Sequence, residues 1–207
     1  MKRVPEKSVE RLLKYLELVK EKMSKGEHFV FSHELARHVG VSPVQVRRDL
    51  MDFEIEGTPQ KGYPVKDFFS QVCGHVKCDL KTKLALIGVG NLGKAILSYF
   101  LKRRPNLEIT AAFDSDIQKT DRIYCGCKVY HISELASVIK KEKISVGIIT
   151  VPAEYAQETA DMLVKAGIKG IVNFAPLMVR VPQDVFVDQI DITLSIEKTA
   201  YFAQKSK

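Results

Sequence analysis

No apolar run in the sequence approaches the roughly 18 residues that a membrane-spanning helix needs. The start, Met1-Lys2-Arg3-Val4-Pro5-Glu6-Lys7, lacks the apolar core of a signal peptide. Cysteine is scarce: Cys73, Cys78, Cys125 and Cys127 stand in 207 residues, a size that does not depend on a disulfide framework. Their spacings, Cys125-x-Cys127 and Cys73-x4-Cys78, lack the paired x2 intervals and companion histidines of a zinc site, so unpaired thiols and no metal are expected. Internal repeats and low-complexity tracts are absent too. Membrane, secreted and filamentous classes fall away, and a cytoplasmic globular protein is expected.

The composition that is present, 45% hydrophobic and 28% charged, fits one or two folded domains. Lys plus Arg number 32 against 25 Asp plus Glu, an excess of +7 that makes nucleic acid a candidate partner without singling it out. Residues 1–80 hold 14 basic and 12 acidic residues, so most of the excess lies in the second part.

Residues 6–25 carry Val9, Leu12, Leu13, Leu16, Val19 and Met23 at helical spacing, ending near Gly26. Ser32 is placed to cap a short helix with Leu35, Ala36 and Val39, which stops at Gly40. Ser42-Pro43 opens a third, with Gln45 completing a capping-box pattern and Val46, Leu50 and Phe53 as its buried stripe. A turn-rich segment, Gly57 to Pro64, precedes a linking helix bearing Val65, Phe68, Phe69, Val72 and Val76.

From Lys81 the rhythm changes. Leu84–Ile87, Ile109–Phe113, Val146–Val151 and Ile168–Phe174 read as strands buried on both faces. Helices are expected near 92–103, 133–141 and 154–166, so this part is a parallel α/β sheet. The expected domains are 1–80 and 81–207, the second including a terminal helix at about 194–206.

The sharpest local signal is Gly88-Val89-Gly90-Asn91-Leu92-Gly93, which leaves a strand and opens a helix. Its glycines permit a tight turn, close approach of a pyrophosphate and tight helix–strand packing, while free N–H groups face the phosphates. Asp114, 21 residues after Gly93, can accept hydrogen bonds from both ribose hydroxyls and would repel a 2′-phosphate, which favours NAD(H). A Gly-rich turn without ligand is the bland alternative. Coenzyme A or another adenosine ligand stays open, because the loop reads only phosphate.

Catalysis is not expected. The 127 residues from 81 onward suffice for one dinucleotide sheet and leave no substrate domain. His131 is their only histidine and reads as a loop residue beside a helix cap at Ser133. Tyr201-x-x-x-Lys205 matches a short-chain dehydrogenase pair but falls at the far end of the chain, where packing explains it better.

The N-terminal helices resemble a helix-turn-helix whose second helix would enter a major groove. Its DNA-facing set is Ser42, Val44, Gln45, Arg47 and Arg48, with Lys61, Gly62 and Tyr63 from the wing of a winged helix. Arg suits guanine or phosphate, and Gln suits adenine. Two plainer readings compete: the Gln45 amide is used in a cap, and Arg47 and Arg48 are merely solvated.

Taken in order, these parts resemble the Rex-type redox-sensing transcriptional repressors. The resemblance rests on Val46-Arg47-Arg48-Asp49-Leu50, Phe53, Gly57 and Gly62-Tyr63, and on Ile87 to Gly93. It continues through Phe113-Asp114, Thr150-Val151-Pro152-Ala153 and Gly167 to Pro176. It implies a homodimer that binds operator DNA, is released when NADH replaces NAD+, and exchanges a C-terminal helix between subunits. It also implies that Thr150, Val151, Pro152, Asn173 and Phe174 lie near the nicotinamide, that Tyr63 reaches the minor groove, and that Tyr99 and Asp191 belong to the switch and dimer contacts. Glu17 stands where the family has an Arg thought to pair with the Asp matching Asp191, and Glu54 and Gln60 replace two wing glycines. A small NAD-dependent oxidoreductase and a Rex-like protein with altered operator binding are the rival readings.

Overall fold

The computed structural model describes residues 4–57, 61–78, 80–100 and 106–205. The chain divides into two compact units, Met1–Leu80 and Lys81–Lys207. The first contains α1 (Glu6–Ser24), β1 (Phe29–Val30), α2 (Ser32–Val39), α3 (Pro43–Asp52), β2 (Tyr63–Pro64) and α4 (Val65–Val76). β1 pairs antiparallel with β2 and closes the base of the wing. Residues 58–60 of that wing, Gln60 included, lie outside the described residues.

One core joins Leu12, Tyr15, Leu16 and Val19 of α1 to Leu35, Val46, Leu50, Phe68 and Val72 from the other helices. The expected stripe on α1 was rotated: Val9, Leu13 and Met23 are 36%, 47% and 38% exposed, and Tyr15 takes the central position. The rotation follows from what α1 must deliver. Ser8, Arg11 and Tyr15 all reach Asp49 of α3, a carboxylate with no exposed surface.

Arg11 grips Asp49 with two nitrogens, Nε to Oδ2 and Nη2 to Oδ1, both at 2.6 Å. The Tyr15 hydroxyl donates to Oδ2 at 2.8 Å and the Gln45 amide to Oδ1 at 3.0 Å. Burial alone would raise the Asp49 carboxyl, but the hydrogen bonds from Arg11, Tyr15 and Gln45 outweigh it and hold it below the ordinary range. Burial and the bond to Asp49 in turn push the Tyr15 phenol well up.

In the first unit, helix caps differ from expectation in two places. α2 is capped at Phe31 rather than Ser32, and the Glu34 carboxylate accepts the Phe31 N–H at 2.8 Å. At α3, Ser42 accepts the Gln45 N–H at 3.2 Å as expected, but the reciprocal half of the box is missing because the Gln45 amide turns to Asp49. α3 ends in a Schellman turn, with Ile55 N–H bonded to Leu50 O and Glu54 N–H to Met51 O. Glu54 therefore sits at φ +53°, where glycine is at ease and a side chain is not.

The second unit runs β3 (Thr82–Ile87), α5 (Asn91–Phe100), β4 (Leu107–Asp114), β5 (Ile123–Tyr124) and β6 (Cys127–His131), then a 3-10 turn (Ile132–Glu134) and α6 (Leu135–Glu142). β7 (Val146–Ile149), α7 (Ala153–Lys165), β8 (Gly170–Asn173), β9 (Phe186–Gln189) and α8 (Ile192–Lys205) follow. The strands form one sheet in the order β5-β6-β4-β3-β7-β8-β9, parallel except for the β5–β6 hairpin. Without β5 this is the six-strand Rossmann order, reversing direction between β3 and β7. The expected winged helix followed by a Rossmann-type sheet is thus the observed architecture.

β5, β6 and β9 were not expected. β5 and β9 are the sheet edges and β6 stands beside β5; burial alternates or is partial in all three, so no continuous apolar run marks them. Cys125 and Gly126, at φ +50° and +80°, make the two-residue turn of the β5–β6 hairpin. His131, not Ser133, caps the following turn, its ring nitrogen accepting the Ser133 N–H at 3.4 Å. Residues 101–103 and 206 of the expected helices lie outside the described residues.

Two stability predictions follow from the first unit. Arg11→Met strands a buried carboxylate and lowers unfolding free energy by about 3 kcal/mol at pH 7. In the parent, the Asp49 contribution is intact above about pH 4 and is lost as pH falls through its lowered pKa. In the variant, burial without a cation raises that pKa, so the gap in urea midpoints should narrow from pH 7 towards pH 4.5. Glu54→Gly relieves the left-handed strain and should raise unfolding free energy by about 1 kcal/mol in the same assay.

Candidate dinucleotide pocket and nucleic-acid face

A cavity of about 590 Å³ opens at the carboxyl ends of β4, β3 and β7, and the strand order reverses between the last two. Its lining includes Gly88, Gly90, Asp114, Thr150, Val151 and Pro152, bringing together six expected cofactor residues. The three loop glycines are required for different reasons. Gly88 has φ +98°, and a Cβ there would lie 2.9 Å from the Thr150 backbone. At Gly93 a Cβ would sit 2.1 Å from Gly88 O, so this glycine lets α5 close onto the loop. Gly90 has neither constraint: its φ is not positive, and beyond its two chain neighbours no described atom lies within 4 Å of a Cβ built there. The open side of Gly90 belongs to the cavity, as backbone approached by a pyrophosphate requires. Val89 is fully buried, while Asn91 and Leu92 are exposed in the first turn of α5.

Asp114 is anchored more firmly than expected. Its Oδ2 accepts the Val89 N–H at 2.8 Å and its Oδ1 the Asp116 N–H at 2.9 Å. Lys119 Nζ stands 3.3 Å from Oδ2 and 3.7 Å from Asp116. A carboxylate offers about four acceptor sites, so ribose hydroxyls would take the two that Lys119 shares at long range. The same cation offsets part of the charge expected to repel a 2′-phosphate. Across the cavity, the Thr150 hydroxyl donates to Ile87 O and Gly88 O at 3.0 and 2.7 Å, tying the β7 end to the glycine loop.

Asn173 and Phe174 are placed differently. Asn173 is fully buried, and its amide donates to Leu177 O at 2.7 Å and Gln189 Oε1 at 2.8 Å while accepting the Ala175 N–H at 3.0 Å. Its hydrogen-bonding capacity is used in shaping its own loop. Phe174 packs against the cluster of Leu84, Leu86 and Val89.

On the first unit, Arg47 and Arg48 are exposed on α3, and Val44 is 55% exposed in its first turn. The Arg47 guanidinium reaches the Ser32 hydroxyl at 3.5 Å, whereas among the described residues nothing pairs with Arg48 or Lys61. The Gln45 amide is engaged, as the plainer reading had it, but by Asp49 one turn on and not by a helix cap. Gly62 has φ +75°, and a Cβ there would strike Phe31 and Val30 O. The Tyr63 ring is half-buried edge-on against Phe68, with Gly57 so close that a Cβ at 57 would overlap it. Burial pushes its phenol up, against the nearby charge of Arg47.

Of the expected switch residues, Glu17 and Tyr99 are exposed, and Asp191 caps α8 by accepting the Leu194 N–H at 2.8 Å. α8 buries none of its side chains: Ile192, Leu194, Ile196, Tyr201 and Phe202 are each more than half exposed. Sequence reasoning missed Asp49; the available signal was an acidic residue inside the apolar stripe of Val46, Leu50 and Phe53. Among the described residues no group of His, Cys, Asp or Glu could hold a metal, and no helix is long and apolar enough to cross a membrane. Burial pushes the Cys127 thiol up to about 12, so it is inert at neutral pH.

Two family models match the chain. One described as a CoA binding domain covers residues 79–177, and one described as a putative DNA-binding protein N-terminus covers residues 3–50. The redox-sensing transcriptional repressor Rex of Lactobacillus acidophilus is 37% identical over 205 residues, covering 99% of this chain and 97% of that protein. The Rex protein of Listeria monocytogenes is also 37% identical, over 98% of this chain and 94% of its own. Among solved structures, the Rex-family repressor RSP in complex with NAD+ and operator DNA matches with a TM-score of 0.91 at 29% identity, covering all of this chain and 95% of RSP. RSP in complex with NADH matches at 0.86 and 29%, covering 97% of that chain. Similarity at this level over essentially the whole length shows that the chain belongs to the Rex family of redox-sensing transcriptional repressors.

Proposed function

We propose that this protein is a homodimeric, NAD(H)-responsive repressor that binds operator DNA through α3 and the wing and is released when NADH replaces NAD+. The observation that carries the cofactor half is Gly90, a glycine that the protein's own packing does not demand and that borders the cavity. A CoA-type ligand shares the adenosine and pyrophosphate that this loop would hold. The nicotinamide is preferred because RSP, alike over the whole length, is known with NAD+ and with NADH.

Gly88 to Gly93 hold the pyrophosphate and Asp114 the adenosine ribose, while Thr150, Val151 and Pro152 border the nicotinamide half; Asn173 and Phe174 act by shaping the adjoining loop. When bound, the nicotinamide presents a charged ring in one redox state and a neutral one in the other. The chain turns that difference into a shift between two dimer forms, to the extent that its affinities for the cofactor differ between them. The protein is a regulator, not an enzyme. Arg48 and Lys61, with no partner among the described residues, are available for base and phosphate, with Arg47 beside them. A 14-residue helix with exposed apolar residues is not stable by itself in water, which supports a partner subunit as the cover of α8. Glu17, Tyr99 and Asp191 would then act at the subunit contacts, and Glu17 in place of a cation makes a rewired switch part of the proposal.

Titrating a palindromic operator library at fixed salt with NAD+, NADH or CoA tests this reading. Sequence-preferring binding with NAD+ that NADH weakens at least about tenfold is expected. Absence of sequence preference under every condition refutes it, and steady hydride transfer to a small carbonyl compound would favour an oxidoreductase instead. In a parallel calorimetric series, Gly90→Ala should keep the parent melting temperature and lose NADH affinity. Gly93→Ala should lose both.

A further inference from the structure

The lining of the cavity also includes the apolar side chains of Ile132 and Met162, a surface suited to a flat purine rather than to a phosphate. Ile132 follows β6, and in a Rossmann sheet the strands on that side of the reversal carry the adenosine half of the ligand. α7 contributes one carboxylate to the lining: Glu158, on the same helical face as Tyr155 and Met162. Among the described residues nothing hydrogen-bonds or ion-pairs with it. The cation of the cavity, Lys119, is engaged with Asp114 and Asp116 instead.

We infer that Glu158 selects the base, accepting a hydrogen bond from the exocyclic N6 amino group of adenine. This rests on the cofactor reading above and sharpens it. An ionised carboxylate only accepts hydrogen bonds. Adenine offers two N6 hydrogens at its polar edge, whereas a 6-oxopurine such as hypoxanthine offers a carbonyl there, so two acceptors would face one another. Closure of the purine onto Ile132 and Met162 removes water from this contact, which strengthens an acceptor of full charge. Position 158 therefore carries selectivity, and Asp114 carries the sugar.

Isothermal titration of the full-length protein with NADH and with reduced nicotinamide hypoxanthine dinucleotide tests the inference. NADH is expected to bind about tenfold more tightly, and Glu158→Ala, an exposed position whose melting temperature should match the parent, should bring the ratio close to one by weakening NADH. ADP against IDP should repeat the parent ratio, since neither contains nicotinamide. Equal affinities in the parent, an unchanged ratio in Glu158→Ala, or no preference for ADP would each overturn the role of Glu158 while leaving the cofactor reading standing. A parent protein that binds neither dinucleotide would overturn both.

Discussion

A buried carboxylate, Asp49, is the point on which the N-terminal unit depends. Isolating that charge from water is costly, and the cost is offset only because Arg11, Tyr15, Gln45 and Ser8 converge on it from α1 and α3. The consequence is geometric. α3, which carries Arg47 and Arg48, cannot slide or roll on α1 without separating charge from charge. A merely apolar contact would hold the helices together with less orientation. The orientation of α3 thus comes from polar groups facing inward, while Arg48 on its outward face has no partner among the described residues.

Asp114 repeats the device in the second unit. Its carboxylate takes one N–H from Val89 in the glycine loop and one from Asp116, pinning the loop to the end of β4. Thr150 performs a similar service from β7 through Ile87 and Gly88. The loop is therefore held from both sides of the point where the strand order reverses.

Legibility divided along physical lines. The central strands were readable because burial on both faces demands unbroken apolar runs, and the glycine loop because its spacing follows from backbone geometry. The edge strands β5 and β9, and β6 beside β5, were not, since half-solvated strands share their composition with loops. The face of α1 was misjudged because Val9 and Leu13 fit helical spacing as well as Tyr15 does. Glu54 shows the opposite case: its replacement of a family glycine was visible in the sequence, but the reason it matters, a left-handed φ of +53° at the end of α3, was not.

The sequence by itself determined the order of parts, a helix-turn-helix with a wing and then a dinucleotide sheet, because periodicity and glycine spacing are local properties. Tertiary structure decided which polar side chains are committed. It placed Gln45 on Asp49, closed Asn173 into its own loop, brought Lys119 to Asp114 and put Glu158 of α7 in the lining of the same cavity as Asp114. Each of these depends on residues between 4 and 44 positions apart being folded into contact, and no local pattern along the chain records which of them will meet.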